Sequence, residues 1–173
     1  MPERDDDGFV SLAVHPIGVV HGGLPPPDSG KARPKDARTI EGQIEVYPEY
    51  AEALDGLEGF SHVFVLSHLD RQREGATGLL RVRPRRHRGG RVPAENIPEV
   101  GVFATDSPAR PNPIGLTLVN LVRREGNVLV VRGLDLYDGT PVLDLKPYRA
   151  DYKAERHTIP TWVAEHDPER EPL

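Results

Sequence analysis

Apolar and polar residues alternate along several short stretches of the chain, and this period of two predicts β-strands. The predicted strands run over residues 10–21, 39–47, 60–69, 75–84, 101–105, 116–123 and 128–134. Helical spacing predicts a short helix over residues 48–57 and a single helical turn over residues 159–165. The pattern therefore predicts a mainly β domain with short helical decorations.

Turn-forming residues separate the predicted strands. The 173-residue chain contains 18 prolines and 17 glycines, which favour short strands joined by turns. Its length suits one domain of ordinary size. We expect a disordered acidic N-terminus over residues 1–9, a folded domain over residues 10–152 and a polar C-terminal tail over residues 153–173.

Several kinds of protein are disfavoured by features that the sequence lacks. The absence of cysteine excludes disulfides, thiol nucleophiles and cysteine-ligated metals, and no metal site is predicted. No apolar run reaches the ~20 residues of a membrane span, and the acidic start shows no secretory signal. We therefore expect a cytoplasmic protein without a membrane partner. The sequence also has no glycine-rich dinucleotide motif, phosphate-binding loop or serine-hydrolase elbow.

The segment Gly101 to Leu118, GVFATDSPARPNPIGLTL, combines a predicted strand with a rigid polar turn. Its three prolines within six residues fix φ and remove three backbone donors, so the turn is pre-organised. The polar groups that it presents are Asp106, Ser107, Arg110 and Asn112. The segment is either a stiff connector between strands or a binding loop.

A second segment, Asp135 to Tyr148, carries charged and phenolic groups at alternate positions. A turn over residues 138–141 precedes a strand on which Asp144, Lys146 and Tyr148 share one face. Such a face is either solvated surface or part of a polar site. The two segments together provide the candidate catalytic residues Arg110, Asn112, Asp144, Lys146 and Tyr148.

Arginine is concentrated in residues 71–91, which hold eight arginines and one acid, Glu74, for a formal charge of +7. Because the whole chain carries −5, the other residues together carry −12. This arginine cluster is either a local site for a polyanion or a solvated loop. Its members are Arg71, Arg73, Arg81, Arg83, Arg85, Arg86, Arg88 and Arg91.

Four stretches resemble the TrmO/TsaA-like family, in the family's order. They are PIGV at residues 16–19, GLEGFSH at 56–62, ATDSPARPNPIGL at 104–116 and LDLYDGTPVLDLKPY at 134–148. The resemblance covers roughly residues 10–150. It implies a small β-barrel, not a Rossmann fold, that uses S-adenosyl-L-methionine and acts as a homodimer. It further implies methylation of N6 of a carbamoylthreonyl-modified adenosine beside the tRNA anticodon.

The resemblance also implies a set of cofactor-binding residues. They are Arg33, Pro34, Lys35, His68, Leu69, Asp106, Leu116, Asp138, Gly139, Thr140 and Pro141. Asp106 stands where the family usually has an arginine, so the charge at this position is reversed. Arg110, Lys146 or the part of the arginine cluster from Arg81 to Arg91 is a candidate partner for the carboxylate of the methionine moiety, and Asp138 or Asp144 for its ammonium group.

Three functions remain open from the sequence. The first is S-adenosyl-L-methionine-dependent N6-methylation of tRNA. The second is a methyltransferase of the same fold with a small-molecule acceptor, which the reversed charge at Asp106 favours. The third is an S-adenosyl-L-methionine-binding module without turnover.

Overall fold

Short strands dominate the computed structural model, which describes residues 12–25, 29, 39–71, 78–84 and 97–166. The strands are β1 (Gly18–His21), β2 (Glu41–Val46), β3 (His62–His68), β4 (Arg81–Val82), β5 (Val100–Gly101), β6 (Ile114–Glu125), β7 (Val128–Arg132) and β8 (Pro141–Pro147). The 3-10 helices are Pro48–Leu54, Val102–Ala104 and Ala150–Tyr152, and the α-helix α1 is Thr161–His166. The chain divides into a first unit, Met1–His68 with Leu116–Pro147, and a second unit, Leu69–Gly115 with Tyr148–Leu173.

Six strands form a closed antiparallel barrel in the order β1-β2-β7-β6-β3-β8. The barrel closes because β1 pairs with a strand on each side. Gly18 lies opposite Val46 of β2 and also opposite Val142 of β8. The barrel confirms the predicted mainly β fold with short helices.

Alternate residues of the barrel strands face the core, as the sequence pattern predicts. In β3, Val63, Val65 and Ser67 are buried, whereas His68 is exposed. The fully buried side chains from the other barrel strands and their connections are mostly aliphatic, namely Val20, Ile44, Val46, Val119, Leu129, Val131, Leu134 and Val142. The barrel interior is therefore a packed apolar core.

A two-residue turn joins β6 to β7, with Gly126 at φ +64°. Beside it, the largely buried Arg124 donates to Asp55 and Glu58 at 2.9 and 2.8 Å, which fastens the loop after the first 3-10 helix onto the hairpin. The hydrogen bond to Asp55 raises the pKa of Arg124. The pKa of Glu58 is lowered mainly by a hydrogen bond from its own backbone amide, and next by the hydrogen bond from Arg124.

Three predicted strands differ from the structure. Of the predicted strand over residues 75–84, the described residues 78–84 are in a strand only at Arg81–Val82. Among the described residues of the strand predicted over residues 10–21, pairing starts at Gly18, because β2 ends at Val46 and leaves residues 12–16 without a partner strand. The predicted strand over residues 101–105 is instead a 3-10 turn over Val102–Ala104. The turn forms because Thr105 donates both its amide and its hydroxyl to the carbonyl of Val102, at 3.1 and 2.8 Å.

The second unit contains a two-stranded ribbon of β4 and β5, in which Arg81 lies opposite Gly101 and Val82 opposite Val100. Within the described residues, no helix is long and apolar enough to cross a membrane. The expected acidic N-terminus and the last seven residues of the expected tail lie outside the described residues. The domain bounds therefore stay a prediction.

Barrel closure makes Gly18 intolerant of a side chain. A Cβ at this position would lie 2.2 Å from the backbone oxygen of Glu45. We predict that Gly18→Ala lowers the free energy of unfolding by roughly 1–3 kcal/mol, as overpacking of a core does. Gly101→Ala is the matched control, because a Cβ there meets nothing within 4 Å. Urea unfolding of both variants checks this, and equal midpoints would contradict it.

Candidate functional site

The proline-rich loop between the Val102–Ala104 turn and β6 is held by its own hydroxyl groups. The Ser107 amide donates to Oγ1 of Thr105 at 3.2 Å, and the Ala109 amide donates to Oγ of Ser107 at 3.3 Å. At the far end of the loop, the Leu69 amide donates to the Pro113 carbonyl at 2.7 Å. Local hydrogen bonds of this kind stabilise a turn without any partner strand.

Arg110 turns back onto this loop. Its Nε donates to the Ser107 carbonyl at 3.0 Å, and its Nη2 donates to the carbonyls of Val102, at 3.5 Å, and Thr105. One half-buried guanidinium therefore contacts three carbonyls of the segment that precedes it. The sequence predicts Arg110 as a catalytic residue, and the structure adds that it organises the loop.

Asp106 and Asn112 are exposed on the same loop. The Asn112 carbonyl accepts from the amide of Ile114 at 2.7 Å, which aligns the chain for entry into β6. The loop thus combines a fixed backbone with polar side chains at its surface.

The turn before β8 forms as its sequence predicts. Gly139 has φ +82°, and the Thr140 amide donates to the Tyr137 carbonyl at 3.1 Å. Thr140 itself is buried. Oδ1 of Asp138 accepts from the amide of Gly22 at 3.0 Å, so the carboxylate of a predicted cofactor residue joins the turn to the end of β1.

On β8, Asp144 and Lys146 form an ion pair of 2.7 Å on the outer face of the barrel. They lie opposite Leu66 and Phe64 of β3, next to an irregularity in the pairing between Leu66 and Ser67. A bulge of this kind often redirects side chains beside a functional site. The predicted shared face is thus present for Asp144 and Lys146.

Tyr148 follows the end of β8 and belongs to the second unit. It stacks on Tyr152, with ring centroids 6.2 Å apart, and Arg149 lies over the ring of Tyr152 at 5.7 Å. The hydrogen bonds between Arg149 and Asp151 raise the pKa of the guanidinium and lower that of the carboxyl. The surroundings of Tyr148 within its own unit are therefore aromatic and ionic.

Exposed apolar residues line β6 on the outer face of the barrel. Leu121 and Leu69 donate their amides to Ser61 and Pro113, and these bonds align β6 antiparallel to β3. In this alignment Leu116 lies opposite Leu66, and Leu118 lies opposite Phe64. We call these four residues the outer apolar face. Leu116 is 67% exposed, so this predicted cofactor residue is accessible.

Two contacts in this region were not predicted from the sequence. Oγ1 of Thr117 donates to Asp135 at 2.7 Å, and the Gly22 amide donates to Asp138. Thr117 sits at an inward position between two outward leucines, and this alternation was the available signal. The hydrogen bond from Gly22 to Asp138 joins residues that are 116 positions apart, and no local sequence pattern predicts it.

The remaining predicted residues fall into two groups. His68 is exposed at the end of β3, and Pro141 begins β8. Arg33, Pro34, Lys35, Arg73 and residues 85–91 of the arginine cluster lie outside the described residues. In the part of the chain that is described, no group of three or more His, Cys, Asp or Glu side chains could hold a metal ion.

The fold and the loop define a class: small closed β-barrels that carry a rigid proline-rich loop ahead of a long barrel strand. A solved structure of this class, "Crystal structure of TrmO from Pseudomonas aeruginosa", is 32% identical, with a TM-score of 0.61 over 86% of this chain and 62% of that chain. The family model described as tRNA-methyltransferase O N-terminal domain matches residues 28–154. The chain belongs to this family.

Two relatives show the range of proteins that the family includes. "Probable S-adenosyl-L-methionine-binding protein" of Methanothermobacter thermautotrophicus is 42% identical over 142 residues, which are 82% of this chain and 93% of the relative. The "tRNA (adenine(37)-N6)-methyltransferase" of Mus musculus is 36% identical over 159 residues, 85% of this chain and 33% of the relative. The chain thus spans nearly all of the archaeal relative, but one third of the mouse enzyme.

The contacts of Arg110 predict that lysine cannot replace it. A lysine ammonium lacks the planar set of donors that bridges Ser107 to Val102 and Thr105. We predict that Arg110→Lys speeds hydrogen exchange of the Thr105 and Arg110 amides about tenfold, through local opening, while the barrel amides keep their protection. Arg123→Lys is the control, because this exposed arginine donates to Glu125 alone within its hairpin. Unchanged protection in the loop would show that Arg110 does not organise it.

Proposed function

We propose that this chain is an S-adenosyl-L-methionine-dependent N-methyltransferase that methylates N6 of adenosine 37 in tRNA. The observation that carries the proposal is family membership over residues 28–154, a range that includes the loop, the Asp138 turn and β8. The 36% identity to the mouse tRNA methyltransferase supports the same activity. The carbamoylthreonyl-modified adenosine that the sequence resemblance implies is the acceptor that we propose.

The outer apolar face has the chemistry that the cofactor needs. Leu116 and Leu118 of β6 offer apolar surface for an adenine ring, and β8, on the other side of β3, carries Lys146 and Asp144. Lys146 suits the carboxylate of the methionine moiety, and Asp144 suits its ammonium group. S-adenosyl-L-methionine supplies a methyl group on a positively charged sulfur, so the protein needs no strong base to activate the donor.

The rigid loop suits the acceptor side of the reaction. Methyl transfer requires the nucleophile to be aligned with the methyl group and water to be excluded. Oxygens placed around the transferring methyl group help to align it without titrating. Arg110 holds the loop backbone, and the exposed amide of Asn112 is our candidate for orienting the acceptor base.

We further propose a cytoplasmic homodimer. The support for the dimer is a stripe of exposed apolar side chains on one face of β6. Its members are Leu116, Leu118 and Val122, which are spaced by even numbers of residues. A second copy on this stripe would remove apolar area from water and would give the exposed cofactor face a second wall. The support for the cytoplasm is the proposed substrate, since tRNA serves translation there.

Two alternative functions keep specific support. The archaeal relative, 93% of whose length this chain covers, is named as a probable S-adenosyl-L-methionine-binding protein. That name is compatible with a module that binds without turnover. The acidic residue at position 106 favours a methyltransferase with a small-molecule acceptor, because it adds negative charge to the loop.

Methylation of tRNA tests the proposed activity directly. We predict that tRNA from a strain lacking this gene has lost one methyl group on the modified adenosine 37, and that the purified protein restores it with S-adenosyl-L-methionine. Mass spectrometry of digested tRNA measures both. Unaltered tRNA, together with turnover of a small acceptor, would establish the second function. Cofactor binding with no acceptor at all would establish the third.

Calorimetry tests the proposed cofactor contacts. We predict that Asp144→Asn and Lys146→Met each weaken S-adenosyl-L-methionine binding about tenfold or more, because a charge-assisted hydrogen bond is lost. Glu41→Gln is the matched control, since Glu41 and Arg132 form an equally exposed ion pair on β2 and β7. Equal losses in all three variants would argue against a site on β8.

The oligomeric state tests the stripe on β6. We predict that Leu118→Glu converts a dimer into a monomer, because a carboxylate would have to be buried against the second copy. Leu12→Glu is the control, because Leu12 is exposed at 76% and lies outside β6. Light scattering at micromolar concentration measures the mass, and a monomeric wild-type protein would overturn the dimer proposal.

A further inference from the structure

Phe103 is the most exposed large hydrophobic residue in the part of the chain that is described, at 78%. Phenylalanine is usually buried, since a ring of this size contributes strongly to a core. Leu80, which is 69% exposed, lies on the strand segment opposite, because its carbonyl accepts from the amide of Val102 at 3.0 Å. An aromatic ring and an aliphatic side chain thus form an exposed apolar end of the β4–β5 ribbon.

The backbone on both sides of Phe103 is fixed. It lies in the middle of the Val102–Ala104 turn, and the amide and hydroxyl of Thr105 close that turn on the Val102 carbonyl. The guanidinium of Arg110 donates to the carbonyls of the same two residues, Val102 and Thr105. The exposed ring therefore stands on a braced turn, and little backbone entropy would be lost if a partner covered it.

The ribbon that carries this ring is cationic. Arg81 and Arg83 are exposed on and just after β4, and Glu99, which pairs with Arg81, is the acid on the described part of the facing segment. The excess of positive charge is local, because the whole chain carries −5. An exposed aromatic ring on the same ribbon as exposed arginine side chains is a combination by which proteins bind unpaired nucleotides, with bases on the ring and phosphates on the cations.

We propose that Phe103 is a base-stacking residue, which holds an unpaired nucleotide of the RNA substrate while Arg83, further along the ribbon, contacts a phosphate of a neighbouring nucleotide. This inference rests on the proposed function, since it names how that substrate is held. The positive charge of the ribbon favours RNA, which is negatively charged throughout. A second copy of this chain has a negative net charge, but its own ribbon carries the same positive charge as this one. Phe103 is not among the predicted cofactor residues, and our proposed cofactor contacts assign the methionine carboxylate to Lys146 instead of the arginine cluster that contains Arg83.

The test compares Phe103→Ala, Phe103→Leu and Phe103→Trp by fluorescence anisotropy with a labelled anticodon stem-loop RNA. Because one stacked base contributes about 1–3 kcal/mol, we expect the alanine variant to bind at least about fivefold more weakly. The leucine variant should lose a similar factor, since it keeps apolar area without an aromatic face. The tryptophan variant should bind within about threefold of wild type. Leu12→Ala is the control for loss of an equally exposed apolar side chain.

Salt dependence separates stacking from charge. Phe103→Ala should leave the slope of log affinity against log salt unchanged, whereas Arg83→Ala should lower it by about one. Cofactor binding should be unchanged in the Phe103 variants. Wild-type affinity in Phe103→Leu would overturn stacking, and a dimer lost in Phe103→Ala would assign the ring to an interface between copies.

If Phe103→Ala methylates tRNA with the wild-type KM, this inference fails and the proposed function stands. A wild-type protein that neither binds nor methylates RNA overturns both.

Discussion

The pairing of β1 with both β2 and β8 is the constraint on which the barrel depends. This strand has only four residues, and Gly18 must fit against the backbone of Glu45 while also facing Val142. Without that contact the sheet would be open, with two unpaired edges. The closed sheet in turn fixes which side chains of β3, β6 and β8 point outward, and therefore where the outer apolar face and the Asp144–Lys146 pair lie.

Rigidity in this protein comes from side-chain contacts with the backbone as much as from strand pairing. Arg110 holds three carbonyls of its loop, and Asp138 holds the amide of Gly22. Charged residues that a family resemblance marks as binding groups are thus partly committed to the fold. A charge with such a double role limits how freely its position can change, because a substitution alters both the local backbone and the ligand surface.

The strands were largely predictable from the sequence because half-buried strands impose a period of two. Gly42, Ile44 and Val46 are buried at alternate positions of β2, as the alternation of its sequence predicts, and Gly126 marks the hairpin. The strand prediction over residues 101–105 is wrong at Val102–Ala104. The apolar residues of this segment are typical of a strand, but the Thr105 hydroxyl donates to the Val102 carbonyl and closes a turn. The contacts of Arg110 and Asp138 could not be read from the sequence, since they depend on side-chain direction and on distant partners.

The bond between Gly22 and Asp138 has a thermodynamic consequence. It joins the end of the strand that closes the barrel to the turn that the family resemblance assigns to the cofactor. Any ligand that prefers the ordered turn would therefore also favour the closed seam, and by linkage a tighter seam would favour the ligand. Occupancy of the turn and integrity of the barrel would then be reciprocal quantities, so that natural variation at the seam could tune affinity without touching a ligand atom.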